Sequence, residues 1–248
     1  MGQVDVVVWA GASGVRGVTT TPVPAGIPTA AVRFWNCTGT SATPDDESTA
    51  FEDMRVATDG RFAAELQMGL TLESIGRQTA IIKIGMSNTE CSAWRSGIVH
   101  DLAVQVLGDA VAAIPAEFPL GVTRYHFCWF LGATDAGDPG TMKADIEGIR
   151  SEFSGIIGRP FFSTTLVLQH KDSTIVTAAV NAAARVQTLL VSAARCINVD
   201  DQALVDTIHL TGAGQNVLGL RLANSISTAI VSMSGDVHAR SRHRIRRR

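Results

Sequence analysis

Val4-Asp5-Val6-Val7-Val8-Trp9-Ala10-Gly11-Ala12-Ser13-Gly14 is an almost unbroken apolar run that ends in a glycine-rich turn. A strand with one wet face alternates apolar and polar residues. A continuous run marks a strand covered on both faces, as in a parallel sheet. Four further runs have the same character: 79–85 (TAIIKIG), 124–132 (RYHFCWFLG), 159–169 (RPFFSTTLVLQ) and 188–194 (TLLVSAA). Helical patterns separate them. Met142, Ile146, Ile149, Phe153 and Ile156 recur at helical spacing within 141–157. Residues 92–113 and 174–187 are alanine-rich, and 213–230 form a further helical segment. Strands alternating with helices predict an α/β fold, a three-layer α/β/α sandwich around a five-stranded, mainly parallel sheet.

The stretch 16–61 interrupts this rhythm with early prolines, many threonines and the polar run Gly39-Thr40-Ser41-Ala42-Thr43-Pro44-Asp45-Asp46-Glu47-Ser48. It reads as a long loop excursion holding one strand near 29–36, the kind of loop that carries substrate contacts. The expected organisation is one domain over 1–236 and a basic tail over 237–248.

Composition narrows the field. With 46% hydrophobic and 18% charged residues, the 248-residue chain can build a large core and is not disordered. The net charge of −2 conceals an asymmetry. Six arginines and no acid fall in the last nine residues, which leaves 15 basic against 23 acidic residues elsewhere, a charge of −8. Such a block is ordinarily a solvated tail. Its functional alternative is docking to an acidic partner or to nucleic acid. Cys37, Cys91, Cys128 and Cys196 include no Cys-x-x-Cys pair, so no structural zinc site is expected. Cys128 reads as a buried thiol, and one disulfide remains open. His100, His126 and His170 lack metal-ligand spacing. The start, Met1-Gly2-Gln3-Val4-Asp5, shows no leader pattern, and no uninterrupted apolar stretch reaches the length of a membrane span.

Chemistry enters through Asp206-Thr207-Ile208-His209-Leu210-Thr211-Gly212. An Asp three residues before a His places an orienting carboxylate and a general base on one loop. The missing nucleophile is Ser13, on the turn after the first strand. That turn also has a rival reading as a dinucleotide-binding loop. The rival needs a helix next and an acid about 20 residues on. The chain instead continues through Pro22, Pro24 and Pro28, with no Asp or Glu in 30–44.

With these two sites in place, the chain resembles the SGNH hydrolase superfamily, in particular the branch of sialate O-acetylesterases and related carbohydrate acetylesterases. Four segments carry the resemblance: Trp9 to Gly14; Phe62-Ala63-Ala64-Glu65-Leu66 through Ile81-Ile82-Lys83-Ile84 to Ser87-Asn88-Thr89 and Trp94; Trp129-Phe130-Leu131-Gly132-Ala133-Thr134-Asp135; and Asp206-x-x-His209. The resemblance implies an SGNH, flavodoxin-like fold and a serine esterase acting on an acylated carbohydrate, in particular an acetyl ester, without metal or cofactor. It implies Ser13, Asp206 and His209 as catalytic, and Ser87, Asn88, Gly132, Thr134 and Asp135 as oxyanion or pocket residues. The chain departs from the family pattern at four flanking positions. Ala12 and Gly14 stand where Gln and Asn are usual, and Leu131 and Ala133 where Gln and Glu are usual. Ser87 and Asn88 replace paired glycines. Losing one oxyanion donor costs about 10²–10³ in rate. Backbone N–H groups at Ser13 and near Asn88, or the Asn88 side chain, would have to serve instead. These losses and the arginine tail motivate a second expectation: a non-catalytic carbohydrate-binding or structural module on the same fold, as in a virus particle. Asp135 and Asp138 in a Gly/Pro-rich turn, and Trp94 in the core, also have ordinary structural readings.

Overall fold

The computed structural model describes residues 3–41, 43–130, 139–174 and 176–245, those from 233 onward as backbone. Among the described residues, eight strands form one sheet: β1 (Val4–Gly11), β2 (Val32–Thr40), β3 (Thr43–Glu47), β4 (Glu52–Asp53), β5 (Thr79–Ser87), β6 (Val122–Phe130), β7 (Ser163–Val167) and β8 (Ala194–Ile197). Their order is β3-β2-β5-β1-β6-β7-β8, with β4 paired to β2. The strands β2, β5, β1, β6, β7 and β8 run parallel, and β3 and β4 are antiparallel additions to β2. Six α-helices accompany them among the described residues: α1 (Ser13–Arg16), α2 (Glu65–Ser74), α3 (Ile98–Glu117), α4 (Met142–Ile156), α5 (Ala178–Leu189) and α6 (Gly212–Ile245).

Every residue of β1 is buried. Side chains alternate across a strand, so β1 feeds two cores. Val4, Val6, Val8 and Ala10 pack with Val99 and Leu107 of α3, Ile146 and Phe153 of α4, and Ala184 of α5. Val7 and Trp9 pack with Val15 of α1, Leu66 and Leu72 of α2, and Leu218, Leu222 and Ile226 of α6. The result is the expected α/β/α sandwich. α3 is long and apolar enough to pass for a membrane span by composition, yet its face from Val99 to Ile114 closes the first of these cores.

The sheet is wider than the five strands expected because of the excursion 16–61, where β2, β3 and β4 form. The strand expected at 29–36 lies at Val32–Thr40. Polar contacts hold this edge: Asn36 Nδ2 donates to the Asp46 carbonyl (2.9 Å), Ser48 N–H to the Asn36 carbonyl (2.7 Å), and Arg55 forks onto both Asp46 oxygens (2.8 and 2.9 Å). Hydrophobic periodicity cannot register strands of this composition. A separate difference lies at 188–194, where the expected strand is displaced to Ala194–Ile197. Helix α5 continues to Leu189, where Thr188 Oγ1 donates to the Ala184 carbonyl (2.9 Å), and Ala193 turns the chain at φ 55° before β8. β7 is also shorter than the run 159–169. α2 is a helix the apolar pattern did not announce.

Candidate active site

β1 sits at the point where the chain changes direction of travel. After it the chain builds β2 and β5 on one side, then β6, β7 and β8 on the other. In open α/β sheets the crevice beyond the carboxyl ends of strands at such a point is where ligands bind. Ser13 stands there, as the first residue of α1. Two glycines allow the turn to be this tight. Gly11 has φ 143°, and a Cβ on it would lie 2.2 Å from the Phe130 carbonyl oxygen. A Cβ on Gly14 would lie 2.4 Å from the Phe130 ring. α1 is one turn long and is followed by loop to β2, so the long helix required by a dinucleotide fold is absent among the described residues.

Loop 198–211, between β8 and α6, brings the other two residues. An antiparallel bridge pairs Leu204 with Leu210, and Val205 N–H donates to the His209 carbonyl (2.8 Å), which closes the loop on itself. Thr211 caps α6, its Oγ1 accepting from Gly214 N–H at 3.1 Å. Within the loop, Asp206 Oδ1 accepts from the N–H groups of Ile208 (2.7 Å) and His209 (2.8 Å). Asp206 Oδ2 lies 2.7 Å from His209 Nδ1, and His209 Nε2 lies 2.8 Å from Ser13 Oγ. Residues 196 positions apart in sequence thus form a continuous serine–imidazole–carboxylate chain. Its geometry defines the tautomer that can work: Nδ1 donates to Asp206, which leaves Nε2 to accept from the hydroxyl. Burial pushes the Asp206 carboxyl up, but the hydrogen bonds from the His209 ring and the two backbone N–H groups prevail and hold it below its ordinary value.

Ser87 ends β5 and Asn88 follows it, at the same edge of the sheet. Gly85 is in register with Gly11, and β5 runs on two residues further beside β2. Asn88 adopts φ 58°, the left-handed conformation natural to glycine and tolerated by Asn. The replacement of a usual glycine there therefore keeps the backbone turn. Ser87 is buried, and its Oγ has no hydrogen-bond partner among the described residues. Gly132, Thr134 and Asp135, with Leu131, Ala133 and Asp138, lie outside the described residues. They follow β6, whose last residue, Phe130, is in register with Gly11.

Several other expectations resolve into structure. Trp94 is 1% exposed, packs edge-on against Trp129 (5.0 Å), and donates from Nε1 to Thr89 Oγ1 (3.0 Å), so it belongs to the core. The four cysteines are not joined in disulfides, and burial pushes the Cys128 thiol up to about 12. His100 lies between Asp101 (2.8 Å) and Glu152 (2.7 Å), and His126 Nδ1 contacts Ser163 Oγ (2.7 Å). His170 donates from Nε2 to the Gln202 carbonyl at 3.0 Å, bracing the loop that carries Asp206.

Sequence reasoning missed the ties that hold the site. Arg185 of α5 forks onto Asp200 (2.8 and 2.7 Å), and Arg221 of α6 contacts both oxygens of Asp201, one at 2.8 Å. Consecutive aspartates opening the loop are thus gripped from opposite faces of the sheet. The adjacent Asp200-Asp201 was the only signal available in sequence.

No family model matches the sequence, and no curated protein matches it. Solved structures do match. A protein from Arabidopsis thaliana aligns with a TM-score of 0.69 at 14% identity, over 90% of this chain and 98% of that one. A carbohydrate acetylesterase from Xanthomonas citri aligns with a TM-score of 0.56 at 15% identity, over 88% of this chain and 55% of that one. A lipase from a goat rumen metagenome aligns with a TM-score of 0.50 at 10% identity, over 89% of this chain and 97% of that one. This chain shares their fold. It spans about half the length of the Xanthomonas enzyme, and likeness at such identities concerns the backbone alone.

Proposed function

We propose that the protein is a serine esterase of the SGNH hydrolase type that removes acyl groups, acetyl in particular, from a carbohydrate. The observation that carries the reading is the unbroken hydrogen-bond chain from Ser13 Oγ through His209 to Asp206. A degenerate module has no need to keep an imidazole from one segment within 2.8 Å of a distant serine and 2.7 Å of a carboxylate. The acetylesterase and the lipase on the same fold support ester chemistry. The carbohydrate and the acetyl group rest on the sequence resemblance.

In this mechanism Ser13 Oγ attacks the ester carbonyl carbon while its proton passes to His209 Nε2. Asp206 stabilises the imidazolium through Nδ1–H. The negative charge on the carbonyl oxygen is met by backbone N–H groups at the start of α1 and around Asn88. Collapse breaks the bond to the sugar oxygen, which leaves with the proton from His209. Water then attacks the acyl-enzyme with His209 again as base, releasing the acid and restoring Ser13. No metal or cofactor enters these steps.

The test is hydrolysis of p-nitrophenyl acetate and of acetylated sugars by the wild type and by Ser13→Ala. Turnover lost in the variant is the expected result. Turnover kept in the variant, or a folded wild type inert on every ester, removes the assignment.

The arginines of 240–248 carry a separate proposal by their charge alone: they bind an anionic partner, nucleic acid or an acidic protein surface. Deleting 240–248 should bring elution from immobilised heparin to lower salt and leave ester hydrolysis unaltered. Unaltered elution would refute it.

A further inference from the structure

Lys83 lies in the middle of β5, in register with Trp9 of β1 and Asn36 of β2. Its side chain is 2% exposed. An ammonium so deep is strongly unfavourable unless it is paired and its protons are used. Glu65, the first residue of α2 and 1% exposed, lies 2.8 Å from Nζ. The same oxygen, Oε1, accepts from Ala63 N–H at 3.1 Å. Charge pairing alone would make Lys83 an ordinary buried ion-pair residue, one that apolar side chains of similar volume commonly replace without loss of stability. A third contact sets it apart. Lys83 Nζ also donates to the carbonyl oxygen of Arg16 at 3.2 Å.

Arg16 ends the one-turn helix that Ser13 begins. That helix has few bonds of its own. Val15 and Arg16 N–H reach the Ala12 carbonyl at 2.9 and 3.2 Å, and Gly17 N–H reaches the Ser13 carbonyl at 3.0 Å. One turn does not sustain itself in isolation. Its terminal carbonyls need donors, and a cation at a helix C-terminus also meets the negative end of the peptide dipoles.

We propose that the buried Lys83–Glu65 pair positions the nucleophile. Glu65 fixes Lys83, Lys83 holds the C-terminal end of α1 against the sheet, and Ser13 Oγ is thereby kept at hydrogen-bonding distance from His209. Neither residue touches substrate; both act through the backbone of α1. The proposal rests on the esterase reading of Ser13.

The experiment replaces the pair with neutral groups. In the double variant Lys83→Met with Glu65→Gln no charge is left unpaired, and the acceptor for Ala63 N–H is kept. Expected are a cooperative thermal transition, kcat for p-nitrophenyl acetate lowered by about 10²-fold, and KM within about twofold of wild type. Amide exchange at Val15, Arg16 and Gly17 should quicken by at least about tenfold, while amides of α4 keep their protection. A merely structural role would alter the melting temperature and leave kcat and these three amides as they were; that result overturns the proposal. Should the double variant not fold, Glu65→Asp keeps both charges and shortens the reach by one methylene. A fall in kcat at constant KM then supports the proposal, and constant kcat overturns it. If the wild type hydrolyses no ester, the esterase reading fails. The α1 amides then still decide whether the pair holds the turn.

Discussion

The two halves of the candidate site are built in opposite ways. The turn bearing Ser13 is held by shape. Gly11 and Gly14 lie so close to Phe130 that a single added carbon meets it, and Val15 is buried. The loop bearing Asp206 and His209 is held by polar ties: Arg185 to Asp200, Arg221 to Asp201, His170 to the Gln202 carbonyl, and Asp206 to its own turn. Asp206 itself is 49% exposed. Steric fit tolerates no added volume, whereas hydrogen bonds at a surface are individually worth about 1 kcal/mol and are replaceable by water. Chemistry and stability should therefore come apart across the site.

The strongest test of that separation is Asp206→Asn. The amide oxygen can still accept from the loop N–H groups, so the melting temperature should move little. The imidazole loses its orienting charge, and kcat should fall by about 10⁴-fold. A similar loss of activity accompanied by global unfolding would abolish the contrast. Gly11→Ala should do the reverse in kind. Its positive φ and its clash with the Phe130 carbonyl should cost about 3 kcal/mol or prevent folding, as read from urea denaturation.

Acid separates body from loop more finely. His126 is fully buried, and burial, with Arg124 and Arg77 nearby, lowers its pKa to about 3. The unfolded chain binds a proton there below about 6.5 and the native state does not, so stability falls as pH drops from about 6.5 towards 3, by up to about 1.4 kcal/mol per unit. The loop loses stability in the same direction but in a lower pH window. Asp200 and Asp206 titrate below ordinary carboxylates, and Asp201 at about 2. Their ties are present above the unfolded carboxylate values and are lost only as pH falls through the lowered native ones. The pH slope of urea stability between 6.5 and 4.5 should accordingly flatten in His126→Leu and persist in Arg185→Ala. The smallest effect is that of Arg185→Ala at neutral pH. The pair is about four-fifths buried, and its removal should cost about 2 kcal/mol with only a several-fold change in kcat.

What could be read from the sequence follows the same division. β1, β5 and β6 were visible because burial on both faces leaves a continuous apolar signature. Ser13, Asp206 and His209 were visible because their side chains name their chemistry. β2 was visible only in part, as a strand near 29–36, and β3 and β4 were hidden, since Asn36, Asp46 and Ser48 are buried by mutual hydrogen bonding that no periodicity reports. β8 was displaced because the end of α5 is as apolar as a strand. Lys83 with Glu65, and the arginines that grip Asp200 and Asp201, join residues 15 to 20 positions apart, and nothing local marks the partners. At Asn88 the sequence misled in the other direction. A lost glycine looked like a lost feature, while the backbone there keeps the conformation glycine would supply.

The Leu204–Leu210 bridge gives the acid–base loop a further property. Carboxylate and imidazole are oriented inside a seven-residue ring that needs no help from the serine to form. The aspartate and the imidazole are thus set against each other by the loop's own closure, while the serine turn, moulded to Phe130, takes its shape from the sheet.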